Sequence, residues 1–343
     1  MLSSAVPRFA RALCVIAALI ATATACSGET RAPSPGDLSS VALRVGATGW
    51  ATAQAALQVA GLDQTPYKVQ WAVFPGGDKQ LQALQAGALD LTESSEIPPI
   101  FAAASGNARF KVVAVQRANT LQQEVVVGAG SPITSIAQLK GKKVGYVPNT
   151  TAHYFLDRLL ERAGLRWGDI VAAPLSPNDG VTALSGGAID ALASYGNSII
   201  TVHLRGGRMI GDGSEILSGS FPWEAETSAI ADPGKRAAIV DLLARINQAY
   251  AVIRSGRMDE FARRTAEATH EDQALDQLRA EEAQRPTTIV ATSPEAISSE
   301  QAVADTFAEL RIIPNRLDVA GFWTDALNAE LNKALLATPA PGR

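Results

Sequence analysis

Cysteine, histidine and aromatic side chains are scarce in this sequence, and each shortage removes a class of function. There are two cysteines, Cys14 and Cys26, in 343 residues, so no disulfide framework staples the chain. No CxxC occurs, and His153, His203 and His270 lie far apart; with no metal-ligand spacing, neither a metal nor a cofactor is expected. An excess of positive charge is also lacking. Thirty Lys and Arg stand against 34 Asp and Glu, a formal net charge of −4, which argues against a general nucleic-acid binder. No apolar run is long enough to cross a bilayer as a helix. The signatures GxxxxGK[ST], GxSxG and HExxH are absent, leaving no reactive constellation for an enzyme. What is abundant is apolar: 47% of the residues are hydrophobic, enough for one sizeable core or two moderate ones, and the length predicts about two domains.

The first 25 residues read as a signal peptide. Arg8 and Arg11 form a positive start, residues 12–25 an uncharged apolar run, and Ala23-Thr24-Ala25-Cys26 a small-residue cleavage site followed at once by cysteine. This resembles a bacterial lipobox, in which Cys26 is lipidated and becomes the new N-terminus; the alternative is an ordinary signal peptide in which Cys26 is incidental. The expected location is outside the cell membrane, anchored by lipid to its outer face. Removing 1–25 leaves 28 Lys and Arg against 34 Asp and Glu, formally −6. Residues 26–40, rich in Pro, Ser and Gly, read as a lipidated tether.

The body alternates β-branched runs (41–46, 67–74, 112–116, 124–128, 143–147, 170–173) with helical stretches (52–60, 79–86, 97–105, 136–139, 152–163, 180–184). Such alternation predicts α/β sheets with parallel neighbours. The C-terminal part reads as mainly helical, over 234–255, 258–269, 271–284, 298–310 and 319–336. An internal repeat organises the chain: ALxxGA(L/I)D occurs at 83–90 and again at 183–190, one hundred positions apart. Each copy reads as a helix closed by a left-handed glycine, Gly87 or Gly187, and followed by a short apolar strand. A turn precedes each helix, Phe74-Pro75-Gly76-Gly77-Asp78 and Ser176-Pro177-Asn178-Asp179-Gly180. Two related α/β lobes would leave a cleft at the carboxyl ends of their strands, where helix N-termini offer free N–H groups to anions.

Four segments in order carry a family resemblance. They are 92–106 (TESSEIPPIFAAASG), 131–144 (SPITSIAQLKGKKV), 150–156 (TTAHYFL) and a closing helix with its turn over 297–314. The chain resembles the aliphatic sulfonate/taurine/nitrate family of ABC-transporter substrate-binding proteins and lipoproteins, from about Val41 to Trp323. That resemblance implies a periplasmic-binding-protein fold of type II, two α/β lobes joined by two crossover strands. It places lobe I at 41–123 plus 222–336 and lobe II at 124–221. It also implies a monomer that delivers a small organic oxyanion, sulfonate foremost, to an ABC permease driven by a separate ATPase. Nitrate, taurine or a thiamine-pyrimidine precursor are alternative ligands, and a sensory lipoprotein of the same fold is an alternative role.

Candidate ligand contacts each have a bland reading beside the functional one. In Thr48-Gly49-Trp50-Ala51-Thr52, Gly49 and Ala51 bring backbone close and Trp50 offers a flat wall, or Thr48 caps and Trp50 packs. Gly76 and Gly77 form an anion-accepting turn or simple turn chemistry. Ser94 and Ser95 hold ligand oxygens or only cap a helix, while Glu96 caps backbone or meets a ligand amine. Asn149, Thr150 and Thr151 open the next helix, and His153 reads as packing inside it. Tyr195 and Asn197 follow the second repeat's strand; Phe221 walls the cleft or packs the hinge. At 94–96, at Asn149 and at 195–197 the sequence departs from the family pattern, which bears on sulfonate specificity. No Lys or Arg occurs in these loops, so neutral donors suit one weakly hydrated oxyanion with an organic tail.

Overall fold

The computed structural model describes residues 37–48, 51–106, 108–269 and 275–337. The signal peptide, Cys26, most of the tether, Gly49 and Trp50 lie outside the described residues. Along the described chain run β1 (Ala42–Thr48), α1 (Thr52–Ala60), β2 (Lys68–Phe74), α2 (Gly77–Gln85), β3 (Leu91–Glu93), α3 (Pro98–Ala104), β4 (Phe110–Arg117) and β5 (Gln123–Val127). Next come β6 (Lys143–Tyr146), α4 (Thr151–Arg162), β7 (Val171–Pro174), α5 (Pro177–Ser185), β8 (Ala191–Tyr195), α6 (Asn197–Leu204) and β9 (Arg208–Asp212). The remainder is β10 (Ser220–Glu226), α7 (Thr227–Ala231), α8 (Pro233–Val252), α9 (Met258–Thr269), α10 (Leu275–Gln284), β11 (Thr288–Ala291), α11 (Pro294–Glu309) and α12 (Asn328–Ala337).

Among the described residues the strands form a six-stranded sheet, ordered β11-β4-β10-β3-β1-β2, and a five-stranded sheet, ordered β7-β6-β8-β5-β9. The chain passes from the first sheet to the second at 118–122 and returns at 213–219. Parallel pairing holds for β1 with β2 and β3, and for β6 with β7 and β8. It fails at the strands that cross: β10 is antiparallel to β3 and β4, and β5 to β8 and β9. A strand arriving from the other sheet enters from the opposite end, so it cannot share the direction of a βαβ unit.

Each sheet is covered on both faces. In β5, Val125 and Val127 enter one apolar cluster and Val126 the other, the two-residue period of a strand buried on both sides. Each fully buried valine contributes roughly 1.5–3 kcal/mol of apolar burial. Two C-terminal expectations need correction. Strand β11 interrupts the helical stretch, while β9 and β10, upstream of it, were not among the strands read from local pattern. The last helix does not run over 319–336; a tight turn at Val319–Phe322 precedes α12.

The repeat is structural. Helices α2 and α5 occupy positions one hundred residues apart, and Gly87 (φ 73°) and Gly187 (φ 68°) take the left-handed turn. In copy one the Arg44 N–H donates to Asp90 Oδ2 at 2.8 Å, and in copy two the Lys143 N–H donates to Asp190 Oδ2 at 2.8 Å. The return bonds, Asp90 N–H to Arg44 O and Asp190 N–H to Lys143 O, are also both 2.8 Å. A Cβ on Gly46 would meet Leu89 Cδ1 at 2.7 Å, and one on Gly145 would meet Ile189 Cδ1 at 2.6 Å. Both glycines let the same apolar residue of the motif press onto the neighbouring strand.

Candidate ligand-binding site

The carboxyl ends of the parallel strands β1, β3, β6 and β8 lead into two cavities of about 310 Å³ and 550 Å³. Thr48, Glu93, Gln123, Tyr195, Asn197 and Phe221 line both, so the two are arms of one cleft with walls from both sheets.

The larger arm is a meeting of helix starts. Residues at or beside the N-termini of α2 (Gly76, Gly77), α4 (Thr150, Thr151), α5 (Ser176 to Asn178) and α6 (Gly196, Asn197) line it. First-turn N–H groups have no intrahelical acceptor, and each start carries a partial positive charge. Side-chain caps satisfy part of this demand: Thr150 accepts from the Ala152 N–H and Ser176 from the Asp179 N–H. Helices α2 and α6 begin on glycines, with no side-chain cap. Gly196 sits at φ 59° and ψ −137°, a conformation that side chains disfavour. Among the described residues, no Lys, Arg or His lines either arm.

Several of the expected hydroxyls are already engaged. Thr151 Oγ1 donates to Gln123 Oε1 at 2.7 Å, and Thr150 Oγ1 to the Val147 carbonyl at 2.8 Å. Ser94 Oγ lies 2.9 Å from the Ser95 carbonyl and 2.6 Å from Glu224 Oε1. A hydroxyl has one proton, so both contacts are hydrogen bonds together only when Glu224 is protonated and donates to Ser94. Complete burial pushes the Glu224 carboxyl well above the usual carboxylate range, which fits that arrangement. With these hydroxyls engaged, the donors this arm offers are the backbone N–H groups of the helix starts together with the side chains of Ser95, Asn178 and Asn197.

The smaller arm runs between the first sheet and α8 and α9. Trp71, Trp223, Tyr250, Ile253, Met258 and Phe261 line it, with Glu93 at the junction of the two arms. Burial pushes the Glu93 carboxyl up to about 7. Glu282, the other carboxylate of this arm, is held by Arg254 Nη1 at 3.2 Å and by Thr287. Partial burial, with the charge of Asp78 nearby, pushes the Tyr195 hydroxyl up to about 12.

Of the residues singled out from sequence, the cleft brings together Gly76, Gly77, Ser94, Ser95, Thr150, Thr151, Tyr195, Asn197 and Phe221. Ala51 (φ 59°), Glu96 and Asn149 (φ 59°) are not among its lining residues. The buried Glu96 carboxylate instead accepts from Ser218 Oγ at 2.9 Å and Ser299 Oγ at 3.3 Å. His153 packs as a neutral side chain among Tyr146, Trp167 and Phe307, burial holding it down at about 4. Sequence reasoning passed over Glu93, Gln123, Ser176, Asn178 and the aromatic arm. A signal for two of them was present: Ser176 and Asn178 stand one hundred residues after Gly76 and Asp78. Among the described residues, no group of three His, Cys, Asp or Glu could hold a metal ion, and no helix is long and apolar enough to cross a membrane.

Comparison with known proteins places this cleft in a family. The NMT1/THI5-like family model matches residues 68–212. An aliphatic sulfonates-binding protein of Escherichia coli (strain K12) is 33% identical over 254 residues, covering 74% of this chain and 78% of that protein. The crystal structure of the periplasmic aliphatic sulphonate-binding protein from Escherichia coli superposes with a TM-score of 0.71 at 30% identity, over 82% of this chain and 96% of that one. The alkanesulfonate-binding protein of Xanthomonas axonopodis pv. citri, bound to MOPS, gives a TM-score of 0.73 at 26% identity, over 82% and 98%. With its two sheets, double crossing and shared cleft, the chain has the periplasmic-binding-protein fold and belongs to the aliphatic-sulfonate family of ABC-transporter substrate-binding proteins.

Proposed function

We propose that this protein is an exported solute-binding lipoprotein that captures an organic sulfonate and delivers it to an ABC permease powered by a separate ATPase. The observation that carries the reading is the convergence of α2, α4, α5 and α6 on one cavity with no cationic side chain among its described residues. A sulfonate spreads one charge over three oxygens and is weakly hydrated, so several neutral N–H donors match it. Carboxylate and phosphate sites more often use a bidentate arginine. The sulfonate-binding relatives support the same ligand class and export. Lobe I (41–123 plus 222–336) and lobe II (124–221) close on one ligand per monomer, hinging at the two crossings.

A thermal-shift screen with alkanesulfonates, taurine, nitrate, sulfate esters and pyrimidine precursors tests the ligand. A sulfonate at a hundred times its Kd raises stability by about 2.7 kcal/mol. The NMT1/THI5-like match favours the pyrimidine precursor as second reading, and a shift with that compound alone overturns the sulfonate. Small-angle scattering with ligand is expected to show a smaller radius. The anchor is tested by Cys26→Ser, which releases a folded body from membranes; a serine variant that still sediments after a salt wash overturns lipidation.

A further inference from the structure

We propose that Glu93 makes the cleft select zwitterionic sulfonates, with the sulfonate at the helix starts and a substituted ammonium in the aromatic arm against the Glu93 carboxylate. The inference rests on the sulfonate reading above and adds the chemistry of the ligand's other end. Glu93 lines both arms, so it stands where a ligand spanning them passes. Among the described residues, its carboxyl has no hydrogen-bond or ion-pair partner and no Lys, Arg or His lines the cleft to neutralise it. Glu282, by contrast, is occupied by Arg254 and Thr287. A half-buried, unpaired carboxyl is unfavourable, and an incoming cation relieves it.

The surroundings set the kind of cation. Trp71, Trp223, Tyr250 and Phe261 line the arm beside Glu93, and Trp223 is its cross-strand partner on β10. Gln116, Asn119 and Thr287 also line the arm, but the wall paired with Glu93 across the strands is the Trp223 indole, whose buried N–H has no acceptor among the described residues. A primary ammonium needs three acceptors, whereas an alkylated one needs aromatic faces and one counter-charge. The second copy of the repeat has Ala193 where the first has Glu93, so the strand itself does not require an acid there.

The test is titration calorimetry with two compounds of one shape. They are 3-(trimethylammonio)propane-1-sulfonate and its uncharged-tail isostere 4,4-dimethylpentane-1-sulfonate. Wild type is expected to bind the zwitterion about tenfold more tightly or better, and Glu93→Gln to bind both within about threefold while keeping its affinity for the isostere. Glu93→Ala, which installs the side chain of the second copy, serves equally if the glutamine variant fails to fold. If wild type binds the isostere as tightly as the zwitterion, or if the preference survives in both variants, the role of Glu93 is overturned and the sulfonate reading stands. If neither compound binds wild type, both fall.

Discussion

Two copies of one α/β unit face each other across the cleft, alike in their frame and different where they meet ligand. The frame is common: the same hydrogen bonds tie Asp90 to Arg44 and Asp190 to Lys143, and the same glycine turn closes the helix before. Three residues beyond the shared aspartates, at the cleft, the copies part. Glu93 stands in a cavity wall where Ala193 is fully buried in an apolar cluster. Ser94 shares a proton with Glu224 on the returning strand, whereas Ser194 bonds Ser198 within its own copy at 2.6 Å. The repeat preserves what the main chain requires; recognition occupies the strand ends that the main chain leaves free.

Exchanging the divergent residue gives the largest expected effect. Ala193→Glu places a carboxyl in a site that is 0% exposed and has no partner, and is expected to destabilise by about 4 kcal/mol or more. Glu93→Ala in the first copy is expected to stay within about 1 kcal/mol of wild type. Urea unfolding of both variants checks the pair, and similar losses in the two would erase the distinction.

The shared aspartates come next. The Asp90 side chain is 1% exposed and bonds Arg44 Nε at 2.9 Å, Arg44 Nη2 at 2.6 Å and Lys235 Nζ at 2.8 Å. Burial disfavours its charge, yet these partners hold the carboxyl down at about 2. The folded value lies below the unfolded one, so this stabilisation is present above about pH 4 and lost as pH falls towards 2. Among the described residues, exposed Asp190 accepts only the Lys143 N–H. Asp90→Ala is expected to cost about 2–4 kcal/mol and Asp190→Ala about 1 kcal/mol, read by the same unfolding curves.

Third, the acid behind Ser94 marks the first copy by its pH response. Burial raises Glu224 and Glu300 well above their usual range. With the folded value above the unfolded one, their contribution is complete below about pH 4.5 and declines as pH rises. Glu224→Gln keeps a donor towards Ser94 and removes that titration. Relative to the variant, wild type is expected to lose up to about 1.4 kcal/mol for each pH unit above 4.5 until the folded carboxyl ionises. Parallel stability profiles for the two proteins contradict a protonated Glu224. The smallest effect is at the helix start of the second copy. Thr151→Ala removes a hydroxyl already given to Gln123 and leaves the N–H, so calorimetry is expected to show about 0.5–1.5 kcal/mol lost for every sulfonate alike.

How much was legible in the sequence follows from the same contrast. The repeat, the glycine turns and the strand–helix alternation were readable because each answers to local backbone chemistry. Gly76, Gly77, Thr150, Thr151, Tyr195 and Asn197 were found as cleft residues because they flank strand ends and helix starts. From sequence Glu96 reads alike as a cap or as the partner of a ligand amine; α3 has no side-chain cap, and only the packing of Ser218 and Ser299 against Glu96 shows where its carboxylate goes. The aromatic arm was hidden because Trp71, Trp223, Tyr250 and Phe261 come from four distant elements, each reading as ordinary core. Strand β10 escaped because its partners, β3 and β4, precede it by about a hundred residues, and no local pattern announces such pairing.

The central claim is that neutral helix starts of both copies hold one sulfonate in this cleft. Titration calorimetry of the protein with pentane-1-sulfonate and its carboxylate counterpart, hexanoate, tests it most directly. The account predicts saturable binding of one sulfonate per chain and at least about tenfold weaker binding of the more strongly hydrated carboxylate, for which the cleft has no arginine among the described residues. Absence of saturable heat with the sulfonate, or equal affinity for hexanoate, would contradict it.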